Sequence, residues 1–381
     1  MKVAVVHEWL VVKGGAERVL EEILKLFPQA DLFCLLDFLP EKERAFIGRR
    51  PCRTSFLQKL PGAAKHYRNY LALMPLAIEQ FDLSAYDLVI SSSYAVAKGV
   101  ITGPDQLHIS YVHSPMRYAW DLQFQYLHQA GLETGLKSWL TRWLLHKMRI
   151  WDVRTAHGVD HYIANSAFIA RRIKKVYGRS ATVIHPPVDT DFFTPDSTIA
   201  KEDFYLTISR LVPYKRIDIL IQAFKSNPER RLIVIGSGPE AKRLQALAGA
   251  NVKLLGFQDS ATVRDYLRRA RAFLFAAEED FGIVPLEAQA CATPVIAYGR
   301  GGACETVITP DTHSGQPPTG LFFPEQTPEK VIAALDEFET RMADFTPDAC
   351  RNNALCFSTD IFQPELKTFI EERYRAFLTY D

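Results

Sequence analysis

Short apolar segments alternate with amphipathic ones along this 381-residue chain, and the alternation is present in both halves. This order is typical of parallel sheets whose strands are connected through covering helices. In the first half it predicts strands at Val3–Val6, Asp87–Ser91, Leu107–Val112, His161–Asn165 and Thr182–His185, with helices at Ala16–Phe27 and Ala167–Tyr177. In the second half it predicts strands at Tyr205–Ser209, Arg231–Gly236, Val252–Leu255, Ala272–Phe275 and Pro294–Ala297, with helices at Ile217–Phe224, Glu240–Ala248, Ala261–Ala270 and Pro285–Ala292. The sequence therefore predicts an α/β protein with two Rossmann-like domains.

A proline-rich interruption separates the two halves around residues 188–200. The length supports the same division, because single hydrophobic cores rarely grow beyond roughly 250–300 residues. We therefore predict an N-terminal domain at 1–190 and a C-terminal domain at 191–361, followed by an amphipathic helix at Phe362–Leu378. Ligands of open parallel sheets bind beyond the carboxyl ends of the strands. Two such sheets facing one another are expected to form a ligand-binding cleft between the domains.

The overall composition argues against several classes of function. The formal net charge of +1 disfavours a nucleic-acid binder held by bulk positive charge. The six cysteines contain no close CxxC pair, so we predict neither a zinc site nor a small disulfide framework, and a reducing compartment is favoured. No apolar run approaches the ~20 residues of a membrane-spanning helix, and the first residues are typical of a strand and not of a signal peptide. We therefore expect a cytoplasmic protein without a metal site.

The segment at 278–297 carries two glutamates on either side of a glycine turn. Glu279 follows a predicted strand, and Glu287 lies further on in a predicted helix. Main-chain N–H groups at Phe281, Gly282 and Ile283 would then lie at a helix N-terminus, where anions and polar ligand oxygens are favoured. Both carboxylates are expected to face one cleft. The alternative is a solvated acidic loop before a core helix.

An arginine and a lysine follow the strand predicted at Tyr205–Ser209. Arg210 offers a planar fork of donors and Lys215 a point charge, so together they can clamp a diphosphate. Two solvated surface cations are the alternative. Because the pair lies in a strand–turn–helix arrangement upstream of the acidic segment, we favour a binding site.

Glycines and one histidine occur at further strand ends. Gly236 lies between a predicted strand and a helix, where a simple tight turn is the alternative to a binding loop. Gly14 and Gly15 follow the first strand and precede a helix, so a ligand can approach the backbone closely, although the spacing is not that of the dinucleotide fingerprint. His113 ends a strand, and Pro115 fixes the exit of the chain. We interpret His113 as a site residue, with a structural role as the alternative.

Together, these segments resemble the motifs of retaining, nucleotide-sugar-dependent glycosyltransferases of family four, which have the two-domain GT-B fold. The resemblance covers nearly the whole chain, and the string Met-Arg-Tyr-Ala-Trp-Asp at 116–121 is similar to the O-antigen mannosyltransferase-like branch. It implies that the N-terminal domain lies on the acceptor side and that the C-terminal domain binds the nucleotide sugar. It also implies that the C-terminal helix at 362–381 packs back on the N-terminal domain.

The family's site residues are carried over to the matching positions. The resemblance implies the catalytic residues His113, Arg210, Lys215 and Glu279. It implies the donor-binding residues Gly14, Gly15, Gly236, Phe257, Phe281, Gly282, Ile283 and Glu287. In this assignment His113 lies beside the transferred sugar, Glu279 holds its hydroxyls and Glu287 accepts the ribose hydroxyls. The two cations stabilise the departing diphosphate without a metal.

These residues predict transfer of a hexose, with retention, onto a glycan or polyprenyl-linked acceptor in the synthesis of a surface polysaccharide or glycolipid. The predicted sugar donor is GDP-mannose, and a UDP-hexose or dTDP-rhamnose is the enzymatic alternative. A nonenzymatic nucleotide-sugar-binding protein on the same fold is a second class. A nicotinamide-dependent oxidoreductase is disfavoured because the glycine fingerprint is missing. No cofactor, metal or nucleic-acid partner is expected.

Residues 137–154 combine an apolar stripe with basic side chains. The stripe consists of Trp139, Leu140, Trp143, Leu144, Met148 and Trp151, and the basic residues are Lys137, Arg142, His146, Lys147, Arg149 and Arg154. One interpretation is a face that rests on an anionic membrane, which predicts peripheral contact with the inner face of the plasma membrane. The other is a helix packed against the domain core. Asp121 likewise either orients an acceptor or caps a turn.

Overall fold

The chain forms two compact units in a computed structural model that describes residues 1–311 and 315–379. Unit 1 comprises residues 1–186 together with the C-terminal segment from Phe362, and unit 2 comprises residues 187–361. Each unit contains one parallel sheet with helices. The predicted α/β class with two Rossmann-like domains is therefore confirmed.

Unit 1 is built on a seven-stranded sheet in the order β3-β2-β1-β4-β5-β6-β7. Its strands are β1 (Val3–Leu10), β2 (Asp31–Asp37), β3 (Cys52–Thr54), β4 (Leu88–Ser93), β5 (Leu107–Val112), β6 (His161–Ala164) and β7 (Ala181–Val183). Its α-helices are α1 (Gly15–Leu26), α2 (Ala63–His66), α3 (Met74–Glu79), α4 (Gln123–Gln129), α5 (Gly135–Thr155) and α6 (Ala167–Tyr177). The strand order reverses between β1 and β4, and this is where ligands of open parallel sheets bind.

Unit 2 is built on a six-stranded sheet in the order β10-β9-β8-β11-β12-β13. Its strands are β8 (Tyr205–Ile208), β9 (Leu232–Ile235), β10 (Val252–Gly256), β11 (Ala272–Phe275), β12 (Val295–Tyr298) and β13 (Gly320–Phe323). Its α-helices are α7 (Ile217–Lys225), α8 (Ala241–Leu247), α9 (Ser260–Arg269), α10 (Ile283–Ala290), α11 (Ala303–Thr306), α12 (Pro328–Thr340) and α13 (Pro347–Leu355). Here the order reverses between β8 and β11.

The last helix, α14 (Thr359–Leu378), completes the core of unit 1. Phe362, Leu366, Phe369 and Ile370 are buried and belong to one apolar cluster with residues of β1 and α1. Their spacing places them on one face of the helix. Burying side chains of this size contributes about 1.5–3 kcal/mol each, so α14 is part of the stability of unit 1.

Several elements were not predicted or extend beyond their predicted bounds. The strands β2, β3 and β13 and the helices α2, α3, α4, α11, α12 and α13 are additional. Strand β2 has five consecutive buried residues, and a short apolar run cannot be assigned to strand or helix by periodicity alone. Strand β1 continues to Leu10 instead of ending at Val6, because the polar side chains of His7 and Glu8 are buried and hydrogen-bonded.

Candidate active site

Two predicted site residues meet at the strand-order reversal of unit 2. Lys215 follows β8 and Glu279 follows β11, and these two strands are neighbours in the sheet. The Lys215 ammonium forms an ion pair with the Glu279 carboxylate, and both side chains are half-buried. Because parallel strands end at the same edge, the loops after them converge there. The ion pair therefore lies where a ligand of this sheet is expected.

Arg210 lies at the same edge, two residues beyond the end of β8, and is exposed. The intervening chain forms a short 3₁₀ turn over Pro213–Lys215, and the Lys215 ammonium is 5.4 Å from the centre of the Tyr214 ring. The turn thus separates the two cations while keeping both at one end of the sheet. An exposed guanidinium and an ion-paired ammonium are suited to binding a multiply charged anion.

The glycines after β9 are required by direct backbone contact. A Cβ atom on Gly236 would lie 1.8 Å from the Ser209 carbonyl oxygen, and one on Gly238 would lie 2.3 Å from that of Leu211. The Leu211 N–H also donates to the Ser237 carbonyl at 2.9 Å. The loop after β9 is therefore packed on the segment that carries Arg210, and side chains larger than hydrogen are excluded at both glycines.

The acidic turn leads into α10 as the spacing indicated. Gly282 has a φ of 88° and caps the helix, which begins at Ile283. Phe281 is buried at 3% exposure, and Glu287 is buried in the second turn of the helix at 5%. The structure thus places a short helix N-terminus beside Glu279, with a buried carboxylate following it.

A second glycine pair supports the acidic turn and was not found by sequence reasoning. A Cβ atom on Gly301 would lie 2.4 Å from the Glu279 carbonyl oxygen, and one on Gly302 would lie 2.3 Å from the Phe281 Cα atom. The Gly302 N–H donates to the Glu279 carbonyl at 2.8 Å. The signal available in the sequence was the string Gly-Arg-Gly-Gly at 299–302, which begins two residues beyond the strand predicted at Pro294–Ala297.

In unit 1, His113 lies just beyond β5 within a buried hydrogen-bond network. Its Nε2 atom is 2.9 Å from the Ser92 hydroxyl, and the Asn165 side-chain amide donates to its carbonyl oxygen at 3.0 Å. Burial lowers the pKa of the His113 imidazole to about 3, and neighbouring His7 acts in the same direction. The ring is therefore neutral at physiological pH and serves as a hydrogen-bonding group and not as a cation.

Glu8 is a buried residue of unit 1 that the sequence analysis missed. Its carboxylate accepts hydrogen bonds from the backbone N–H groups of residues 94–97 and from the Ser93 hydroxyl, at 2.7–3.2 Å. It fixes the loop after β4 at the strand-order reversal of this sheet. The sequence signal was weak, because Glu8 lies two residues beyond the strand predicted at Val3–Val6.

Four predicted site residues, Asp121, Phe257, Gly14 and Gly15, are not joined to the others by the contacts described above. Asp121 forms an ion pair with Arg172. Phe257, which follows β10, is 79% exposed. Gly14 caps α1, and its N–H donates to the Glu17 carboxylate at 2.8 Å, with Gly15 as the first helical residue.

The apolar stripe of α5 divides between core and surface. Leu144, Met148 and Trp151 pack against the core of unit 1, whereas Trp139 and Trp143 are 62% and 51% exposed. Core packing therefore accounts for only part of the stripe.

Two further kinds of site are absent from the part of the chain that the structure describes. Within residues 1–311 and 315–379, no group of three or more His, Cys, Asp or Glu side chains has a geometry that could hold a metal ion. In the same part of the chain, none of the helices combines the length and apolarity required to cross a membrane.

Two family models match consecutive parts of the chain. The "Glycosyltransferase Family 4" model matches residues 13–192, and the "Glycosyl transferases group 1" model matches residues 189–354. Together they span most of both units.

Curated relatives resemble parts of the chain. A GDP-mannose-dependent monoacylated alpha-(1-6)-phosphatidylinositol monomannoside mannosyltransferase from Corynebacterium glutamicum is 38% identical over 208 residues, covering 47% of this chain and 52% of the relative. A D-inositol 3-phosphate glycosyltransferase from Kineococcus radiotolerans is 27% identical over 285 residues, covering 59% of this chain and 65% of the relative. The chain thus spans between about half and two thirds of the length of these relatives.

Solved structures share the fold over nearly the whole chain. Anabaena HepE in complex with UDP has a TM-score of 0.69 at 18% identity, covering 98% of this chain and 100% of that one. Sucrose-phosphate synthase from Thermosynechococcus elongatus has a TM-score of 0.72 at 16% identity, covering 99% and 100%. Because the two family models follow one another along the chain and the fold matches throughout, the protein belongs to glycosyltransferase family four and has the GT-B fold.

Proposed function

We propose that the protein is a retaining glycosyltransferase that moves a hexose from a nucleotide sugar to a glycan or lipid-linked acceptor in surface polysaccharide synthesis. The observation that carries this proposal is the Lys215–Glu279 ion pair at the strand-order reversal of unit 2. It brings a cation suited to phosphate and a carboxylate suited to sugar hydroxyls to one point. A nonenzymatic binding protein would not require this combination beside Arg210.

In the proposed reaction, positive charge develops at the anomeric carbon while negative charge grows on the leaving diphosphate. Arg210 and Lys215 stabilise the leaving group electrostatically. An ammonium group has three N–H donors, so contact with Glu279 and contact with phosphate oxygens are compatible in number. Glu279 is then held beside the diphosphate site, where it accepts hydrogen bonds from the sugar hydroxyls. The proposed chemistry uses no metal or other cofactor.

GDP-mannose is the sugar donor that we propose first. The Corynebacterium glutamicum relative and a Mycolicibacterium smegmatis relative, 32% identical over 184 residues, are both named GDP-mannose-dependent mannosyltransferases. A UDP-hexose or dTDP-rhamnose is the alternative. The six free cysteines are compatible with the proposed location in the cytoplasm.

The roles of the two glutamates can be separated by titration calorimetry with GDP, GDP-mannose, UDP-glucose and dTDP-rhamnose. We expect tightest binding of GDP-mannose. Glu287→Ala is expected to weaken both GDP and GDP-mannose, because a buried carboxylate that accepts ribose hydroxyls is lost. Glu279→Ala is expected to weaken GDP-mannose alone, because this carboxylate contacts the sugar. A hydrogen bond to a charged group is worth about 1.5–3 kcal/mol, so each loss should be about 10- to 150-fold in Kd.

The neighbouring Glu278 provides a matched control, because it is exposed on the same turn. Glu278→Ala should leave all affinities unchanged. Equal losses of GDP affinity in the Glu279 and Glu287 variants would contradict the division of roles. Tighter binding of UDP-glucose than of GDP-mannose would replace the proposed sugar donor.

We also propose that α5 brings the protein to an anionic membrane surface. The exposed apolar residues of its outer face form what we call the tryptophan surface: Leu136, Trp139, Leu140, Trp143 and Ile150. Exposed Lys137 and Lys147 lie beside it, and the Lys147 ammonium is 5.7 Å from the Trp143 ring centre. The only acidic residue in α5, Asp152, is fully buried. An exposed face with tryptophans and lysines is complementary to anionic headgroups over an apolar layer.

Vesicle flotation tests this contact. The full chain is expected to float with phosphatidylglycerol vesicles and much less with phosphatidylcholine vesicles. Trp139→Ala/Trp143→Ala should weaken the binding about tenfold or more, because each exposed ring would bury apolar area in the interface. Phe56→Ala, which removes an aromatic side chain that is 40% exposed elsewhere in unit 1, should have no effect. Equal flotation of the tryptophan variant and the native protein would exclude this surface.

A further inference from the structure

Four side chains of unit 1 form a continuous hydrogen-bonded chain that ends at His113. The Glu17 Oε1 atom lies 3.3 Å from His7 Nε2, and His7 Nδ1 lies 3.0 Å from the Ser92 hydroxyl. The Ser92 hydroxyl in turn lies 2.9 Å from His113 Nε2. These residues come from α1, β1, β4 and the end of β5, so the chain crosses the strand-order reversal of the sheet.

The inner members of this chain have no access to water. His7 and Ser92 are 0% exposed, and Glu17 is 6% exposed. Buried polar groups of this kind depend on one another for hydrogen bonds. The orientation of each proton is therefore set by its neighbours along the chain.

The order carboxylate, imidazole and serine hydroxyl is also that of a nucleophilic triad. Here the serine cannot act as a nucleophile, because the Ser92 hydroxyl is fully buried and is in contact with a histidine on each side. The hydroxyl instead connects the two imidazoles.

The direction of hydrogen bonding is fixed at the Glu17 end of this hydrogen-bonded chain. The Gly14 N–H can only donate, and it donates to Glu17 Oε2 at 2.8 Å. The carboxylate accepts at both oxygens, so the proton between Glu17 and His7 belongs to His7 Nε2. An imidazole whose single proton lies on Nε2 accepts at Nδ1, so in this arrangement the Ser92 hydroxyl donates to His7 Nδ1. The Ser92 oxygen then accepts, and the proton between Ser92 and His113 belongs to His113 Nε2.

We propose that Glu17, acting through His7 and Ser92, holds neutral His113 in the tautomer protonated on Nε2, so that its Nδ1 atom accepts a hydrogen bond from a hydroxyl of the sugar substrate. This inference rests on the proposed function for the contact between His113 and the sugar. Glu17, His7 and Ser92 are positioning residues, and only His113 contacts substrate. The site then selects a sugar that presents a hydroxyl, a donor, at this point and disfavours a group that can only accept.

Glu17→Gln is expected to reverse which group donates and which accepts at each step of the hydrogen-bonded chain. It does so while keeping two hydrogen-bonding atoms at the end of the side chain. In Glu17→Gln the Gly14 N–H still requires an acceptor, so the amide oxygen turns to Gly14 and the amide NH₂ donates to His7 Nε2. His7 is then protonated on Nδ1 and donates to Ser92, and the Ser92 hydroxyl donates to His113 Nε2. The proton of His113 is therefore displaced to Nδ1.

Ring nitrogen shifts in ¹⁵N-histidine-labelled full-length protein at pH 8 report the tautomer directly. His113→Gln and His7→Gln identify the two sets of signals among the ten histidines. The native protein is expected to show His113 protonated on Nε2, and Glu17→Gln is expected to show it protonated on Nδ1. Glu21→Gln, on the same helix and paired with Lys13 at the surface, should leave the native pattern unchanged.

If Glu17→Gln fails to fold, Ser92→Ala and Ser92→Thr provide the second test. Alanine interrupts the chain and should give His113 as a mixture of tautomers, whereas threonine retains the hydroxyl and should restore the Nε2 form. Native His113 protonated on Nδ1, or a tautomer that is unaffected by both Glu17→Gln and Ser92→Ala, would overturn the proposal.

Binding measurements separate this inference from the proposed function. Glu17→Gln should weaken the nucleotide sugar about 3- to 10-fold, the effect expected for one neutral hydrogen bond, while free nucleoside diphosphate binds as before. If the His113 tautomer reverses and the affinity for the nucleotide sugar does not change, Glu17 sets the tautomer as proposed, but the contact between His113 and the sugar is refuted.

Discussion

Replacing Arg210 with alanine is expected to lower kcat by about 10²–10³-fold, or about 2.7–4 kcal/mol in the transition state, by analogy with the loss of one preorganised hydrogen-bond donor. The physical reason is that the Arg210 guanidinium would stabilise negative charge that grows on the diphosphate only as it departs. Because its side chain is exposed in the free protein, the substitution should leave the free energy of unfolding nearly unchanged. Steady-state kinetics with each nucleotide sugar, together with thermal unfolding, measure the two effects.

Two further variants sharpen this test. Arg210→Lys keeps the charge but not the planar fork of donors, so its kcat should lie between those of the native protein and the alanine variant. Arg341→Ala removes a surface arginine that pairs with Glu337 and Asp344 at the end of α12, and kcat should be native. Near-normal turnover of Arg210→Ala with every nucleotide sugar would remove Arg210 from the mechanism.

Replacing Lys98 with methionine is expected to lower the free energy of unfolding of unit 1 by about 3–5 kcal/mol. The Lys98 ammonium contacts the Asp152 carboxylate at 2.8 Å, and the two side chains are 2% and 0% exposed. Asp152 also accepts hydrogen bonds from Trp120 and Tyr177. Removing the lysine leaves a buried carboxylate with two neutral donors and no cation, and this accounts for the size of the effect.

Tryptophan fluorescence during urea unfolding measures this loss in unit 1 alone, because all five tryptophans of the chain belong to that unit. Lys25→Met is the matched control. Lys25 pairs with Glu21 and Glu22, but its side chain is 52% exposed, and surface pairs contribute about 0–1 kcal/mol. Equal losses in the two variants would show that burial does not determine the contribution of Lys98.

The elements that could be predicted from the sequence are those whose boundaries are set locally. Helix α6 has its predicted bounds because the Ser166 hydroxyl caps its start and Gly178 ends it in the left-handed conformation. Strand β2 was missed because five apolar residues in succession have no period, and its assignment depends on pairing with β1 and β3.

The same distinction holds for the candidate site. Arg210, Lys215 and Glu279 could be predicted as site residues because each follows a strand in a recognisable string. The Lys215–Glu279 ion pair connects residues far apart in sequence, and no local pattern indicates which acid a lysine meets. The roles of Gly302 and Glu8 depend on contacts with the backbone of distant loops, so they become evident only from the folded chain.

Because unit 2 interrupts the sequence of unit 1, the core of unit 1 cannot be completed until unit 2 has been synthesised. The residues of α14 that complete its core leave the ribosome only after the about 175 residues of unit 2. At about 5–20 residues per second, this interval lasts about 9–35 s. Throughout that time the apolar surface awaiting α14 is open to chaperones and to aggregation. Unit 2, which is contiguous, can finish folding first although it is translated second.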